Sequence, residues 1–106
     1  MATDSFAAFV LEQLDAAGPG DIDARRMFGS LGLYRRDTFF GIISRGHLYL
    51  KTDDATRPTY EARGMEPFRP SPRQTLKHYY EVPIDVLEDP ETLAAWVDEA
   101  IRHAGG

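Results

Sequence analysis

Apolar residues fall into two rhythms along this chain, one of helical period at each end and one of strand period in the middle. Near the N-terminus Phe6, Phe9, Val10, Leu14 and Ala17 recur at spacings that line one side of a helix, which predicts a helix over 4–17. Thr3, Asp4 and Ser5 are competing candidates to cap it, and Gly18-Pro19-Gly20 ends it, glycine through a left-handed cap and proline by breaking the ladder. At the other end Leu93, Trp96, Val97, Ala100 and Ile101 form a second apolar stripe behind Asp89-Pro90, a capping carboxylate followed by a ring already at helical φ.

Between the two, the period shortens to two. Stretches 31–34 and 38–44 are rich in aromatic and β-branched residues and meet at Arg35-Arg36-Asp37. Arg45-Gly46 is a two-residue hairpin connection, with glycine where positive φ is needed. In 47–51, Leu48 and Leu50 face one way while His47, Tyr49 and Lys51 face the other. In 38–44, Phe39, Gly41 and Ile43 oppose Phe40 and Ile42, so both faces are apolar, as in a central strand covered on each side by helices or by a second subunit. A short helix over 54–63 stopped by Gly64, a short strand over 66–69, an exposed loop at 70–73, a strand over 76–82 and one helical turn over 83–87 complete the pattern. The order predicts a single α+β domain over 1–106: a two-layer fold with an antiparallel meander packed against N-terminal and C-terminal helices.

Charge adds a division that the net value of −5 hides. Up to Asp23 there are five acidic residues and no basic ones; 24–80 holds eleven Lys or Arg against five acids; 81–106 holds seven acids and one base. The sheet is basic and the flanking helices acidic, so partners are read from the distribution and not from the total. There are no cysteines, which excludes disulfides and thiolate metal sites. The N-terminus has no signal-peptide pattern and no apolar run reaches membrane-spanning length, so the expected location is cytoplasmic, with no membrane association.

Catalytic patterns fail on specifics. His47, His78 and His103 lack two-ligand spacing, although His47 and His78 are candidates to be cross-strand neighbours near Asp53 or Asp54. Gly29-Ser30-Leu31-Gly32 lacks the spacing of a nucleophile elbow, and no glycine-rich phosphate loop opens a helix. The expectation is a non-enzymatic domain with no metal and no cofactor. What stands out is the basic, aromatic side of the sheet. Arg25, Arg26, Tyr49, Lys51 and Tyr79 are the candidate partner-binding residues, with Lys77 on the same side and Arg35, Arg36 and Arg45 crowding the turns. Arginine offers paired donors and tyrosine stiff contact area, a combination suited to a protein interface. Three alternatives stand beside that reading: the acidic helices neutralise the sheet internally, Arg25 and Arg26 pairing with them; a homodimeric chaperone or adaptor uses the two-faced strand; or the rings and cations hold nucleic acid, a reading weakened by the acidity of the whole chain.

Several stretches together resemble the N-terminal domain of the TfoX/Sxy family: Arg25-Arg26-Met27-Phe28-Gly29, Gly32-Leu33-Tyr34, Leu48-Tyr49-Leu50-Lys51 with Asp53, Gly64 with Pro67-Phe68, and Tyr79-Tyr80-Glu81-Val82-Pro83. The resemblance implies a two-layer, secretion-chaperone-like fold and a role in regulating natural competence in bacteria. It further implies a coactivator that contacts a transcription factor such as the cyclic-AMP receptor protein (CRP) or RNA polymerase, with no enzymatic activity. Longer members carry a helical C-terminal domain beyond the point where this chain stops. Ser30 stands where the family often has a second glycine.

Overall fold

A computed structural model describes residues 2–27 and 29–105. Its elements are α1 (Ala2–Ala17), β1 (Ile22–Met27), β2 (Ser30–Arg35), β3 (Thr38–Ser44), β4 (His47–Lys51), α2 (Arg57–Ala62), β5 (Pro67–Ser71), β6 (Gln74–Glu81), α3 (Ile84–Leu87) and α4 (Pro90–Gly105). The strands form one antiparallel sheet in the order β1-β2-β3-β4-β6-β5, an α+β fold as expected.

Both long helices pack on one face of this sheet. Direct cross-strand pairs build that face in rows: Leu31, Ile43 and Leu48, then Leu33, Gly41, Leu50 and Tyr80. Ala7, Val10 and Leu14 of α1 and Leu93, Val97 and Ala100 of α4 join these residues in one buried cluster. Of the stripes read from the sequence, Val10, Leu14, Leu93, Val97 and Ala100 are buried, Phe6, Phe9, Trp96 and Ile101 pack against them, and the Ala17 side chain lies outside what is described. Tyr60 of α2 seals one side, its ring 4.8 Å from Trp96 and 6.1 Å from Tyr80.

β3 departs from the expected alternation. On β2, Leu33 and Tyr34 are consecutive, but their partners are Gly41 and Phe39, so Phe40 is an extra residue in its strand. A bulge of this kind breaks the period of two. Phe40 therefore joins the helix-side core, fully buried with Ile43, and Phe39 turns to the opposite face, so Phe40 and not Phe39 shares the side of Ile43. Gly41 has no room for a side chain beneath the core: a Cβ there would sit 3.0 Å from the Tyr49 carbonyl oxygen and 3.1 Å from Leu50.

Other differences are local. β1 was not foreseen as a strand; it alternates weakly, with only Ile22 and Ala24 packing against the core from its first half. α1 begins at Ala2, so Ser5 and its two predecessors lie inside the helix and not at its cap. Gly18 does not have positive φ; its lack of a side chain is used for close approach, since a Cβ would collide with the Leu14 carbonyl, whose oxygen accepts the Gly18 amide at 2.6 Å. α2 starts at Arg57, three residues later than predicted, because Asp53 Oδ1 first accepts the amides of Ala55 and Thr56 in a turn. β5 runs on to Ser71 and β6 begins at Gln74, so most of the expected 70–73 loop is a tight hairpin. Asp89 does cap α4, accepting the Glu91 amide and the Thr92 hydroxyl.

Two outcomes follow from this packing. Gly41→Ala should lower stability by about 1–3 kcal/mol, the cost of forcing a methyl into a filled interior, read by urea denaturation. The Thr92 hydroxyl, with the Thr92 and Glu91 amides, holds the Asp89 carboxyl below its ordinary value. A group depressed in the folded state stabilises above its unfolded value and loses that contribution as pH falls through the folded one. Asp89→Ala should accordingly lower the urea midpoint at neutral pH and narrow the drop seen on acidification below about pH 4.

Candidate partner-binding face

The sheet face away from the helices is open and carries its own ordered rows. One row is Met27, Ser30, Ser44 and His47; the next is Arg25, Gly32, Ile42, Tyr49 and Glu81; the third is Asp23, Tyr34 and Phe39, with Lys51 and Tyr79 continuing it beyond β3. Because Phe39 is turned outward by the bulge, three rings meet across the sheet. Tyr34 and Phe39 lie 5.1 Å apart, and Phe39 and Tyr79 5.5 Å apart. Each end of the row carries a cation: the Arg25 guanidinium is 4.2 Å from the Tyr34 ring centre, and the Lys51 ammonium is 5.3 Å from that of Tyr79. Such contacts are worth about 0.5–1 kcal/mol each at exposed sites. Gly32 makes room beneath, since a Cβ there would come within 3.2 Å of Met27, Phe39 and Tyr34 side-chain atoms.

A second aromatic pair, Tyr49 and Phe68 at 4.7 Å, brings the β5–β6 hairpin to the same face. Beside it His47 Nδ1 and Glu81 Oε2 are 2.6 Å apart. Burial, then the Glu81 charge, raise the Tyr49 phenol above its ordinary value, with the Arg45 charge opposing; burial, then Tyr34, raise Tyr79.

Four of the five residues singled out from the sequence share this face: Arg25, Tyr49, Lys51 and Tyr79. Arg26 does not. Strand alternation sends it to the helix side of the edge strand, next to the row of Leu31. Arg25 pairs with Asp23 at 3.1 Å and donates to the Arg36 carbonyl at 3.4 Å, so its contacts lie within the sheet and not on the acidic helices. Lys77 is exposed on β6. Among the described residues no ion pair joins an acid of α1 or α4 to Arg25, Arg45 or Lys51, and the two helices cover the other face.

Tyr34, Phe39 and Phe68 were missed as members of the face. The signal for the first two was available, since a short hairpin at Arg36-Asp37 brings them opposite one another. His47 and His78 are not neighbours. His47 opens β4, whereas the His78 carbonyl accepts the amide of Thr52 past its far end, about 17 Å along the strand. His78 Nδ1 instead accepts from Arg57 at 3.2 Å, and His103 Nδ1 lies 2.9 Å from Asp53 Oδ2. Among the described residues no group of three or more His, Asp or Glu gathers as a metal site, and no helix is long and apolar enough to cross a membrane.

These features define a class, a small α+β domain with one sheet face buried under helices and the other open, aromatic and cationic. The chain belongs to the TfoX N-terminal domain family, whose sequence profile matches residues 12–104. It is 28% identical to the DNA transformation protein TfoX1 of Aliivibrio fischeri (strain ATCC 700601 / ES114), over 80% of this chain and 42% of that protein. The chain therefore spans less than half the length of this relative.

The environment of Tyr49 and Tyr79 is measurable. Raised phenol values mean that the stabilising neutral form is retained up to about pH 10 and lost as pH rises through the folded value. In an alkaline absorbance titration, Tyr49→Phe and Tyr79→Phe should each remove a late-ionising tyrosine; removal of an early one would contradict the burial described.

Proposed function

We propose that this domain acts in the control of DNA transformation as a non-enzymatic regulatory module, docking a protein partner on the open face of its sheet. Two things support a link to transformation: membership of the TfoX N-terminal domain family and the similarity to a DNA transformation protein. The mode of action rests on one observation above the others, the row Arg25, Tyr34, Phe39, Tyr79 and Lys51 running across the uncovered face. Tyrosine and arginine dominate the energetic centres of protein interfaces, because they bring large area at small entropic cost together with directional donors. A row already braced by ring contacts loses little freedom when a partner settles on it. The partner we propose is a transcription factor of the cyclic-AMP receptor type or RNA polymerase.

The test is direct. The purified domain is immobilised and the host's cyclic-AMP receptor protein and RNA polymerase are passed over it in turn. A complex with one of them is expected, and Tyr49→Ala/Lys51→Ala should weaken it at least about tenfold with an unchanged melting temperature. Binding to neither protein, or a double variant that binds as the parent does, would refute the proposal. A double variant that loses stability and binding together would assign these side chains to the fold instead.

A further inference from the structure

We propose that the cleft between the β5–β6 hairpin and β1–β3 receives an acidic, apolar peptide segment of the protein partner, with an apolar side chain in the cleft and a carboxylate beside Arg45. The inference rests on the open face being a docking surface, as proposed above, and specifies the chemistry that docks.

The cleft has two adjoining compartments. One, of about 470 Å³, is largely apolar and is lined by Met27, Phe39, Ile42, Phe68 and Leu76. The other, of about 380 Å³, is polar and is lined by Ser44, Arg45, His47, Tyr49 and Arg69. Ser30, Phe68 and Pro70 border both, so a ligand filling one reaches the other. Ile42 supplies the floor, 2% exposed on the face without helices.

Charge on this side is unevenly satisfied. The carboxylates already have side-chain partners: Asp23 has Arg25, Glu81 has His47 and Glu66 has Arg69. Arg45 and Lys51 form no ion pair among the described residues. An incoming carboxylate would complete Arg45 with charge-assisted hydrogen bonds that bulk water now supplies.

The backbone at Arg45 points the same way. The β3–β4 turn has φ of +53° at Arg45 and +79° at Gly46, the left-handed pair of a two-residue hairpin. Asparagine or glycine would sit there without strain, and a long β-carbon-bearing side chain does not. Arg36 shares this left-handed φ, but Arg45 is the one of the two that lines the polar compartment. A nucleic-acid strand fits less well. The rings are tilted 35°, 36° and 45° against one another and already packed, leaving no flat stack for bases, and the larger compartment offers methyl and ring surface where phosphates would need donors.

Arg45→Gly separates the two roles. It should raise the melting temperature by several degrees, through relief of the turn, while weakening binding of a short fluorescein-labelled peptide alternating leucine and glutamate about tenfold, read by fluorescence polarisation. The parent domain should bind that peptide at least about tenfold more tightly than its leucine–lysine counterpart. Equal binding of the two peptides, unchanged peptide affinity in Arg45→Gly, or failure of the peptide to bind overturns the inference. So does tighter binding of an oligothymidylate, which would assign the face to nucleic acid, or of decanoate, which would make the cleft a small-amphiphile site. Self-association of the parent that Arg45→Gly abolishes, with no affinity for the peptide, would give the cleft to a second copy's acidic helices and likewise overturns it. If Arg45→Gly keeps full affinity for the regulatory partner while Tyr49→Ala/Lys51→Ala loses it, the cleft assignment fails and docking on the sheet stands.

Discussion

One extra residue, Phe40, decides what each face of this sheet is made of. A regular β3 would place Phe39 in the helix-side core and Phe40 outside. The bulge instead gives the core Phe40 together with Ile43, and gives the open face Phe39. Without that exchange the row from Arg25 to Lys51 would lack its middle ring, and Tyr34 and Tyr79 would have nothing between them. Bulges are kept in strands for this reason, since a single unpaired residue re-aims every side chain on one side of it.

The two layers divide the chemistry as well as the packing. Helices α1 and α4 bring their apolar stripes to one face and leave their acids, among them Glu12, Asp15, Asp98 and Glu99, turned to solvent. The open face holds Arg25 and Lys51 against rings, whereas Arg26 lies on the helix side of the sheet and Arg35 lines a groove with Asp98. The acidic outer side of the helices and the open face of the sheet therefore differ in charge character.

The glycines at the centre of β2 and β3 are a second consequence of crowding. Gly32 admits three side chains over the open face, and Gly41 admits the Tyr49 carbonyl and Leu50 beneath the core. Neither has positive φ; both are small because a neighbour needs the space. The turns use a different device, with Arg36 and Arg45 in the left-handed region where a smaller residue would rest more easily. Local comfort yields to the placement of charge at both hairpins.

The sequence by itself determined what has a local cause. Helical and strand periods, the Asp89 cap, the Arg45-Gly46 turn and the exposed side of Tyr49, Lys51 and Tyr79 are set by neighbours a few residues away, so alternation and capping rules recovered them. The family was legible for the same reason, through short ordered motifs. Tertiary structure decided the rest. The bulge at Phe40 depends on the register that β2 imposes. β1 is a strand because β2 offers it a partner, and its weak pattern carried no sign of this. Arg25 and Arg26, adjacent in the chain and alike in chemistry, face opposite ways because the pleat has a period of two. The cleft exists only because the β5–β6 hairpin curls toward Met27, more than forty residues away in the chain, and distance of that kind leaves no mark in a local pattern.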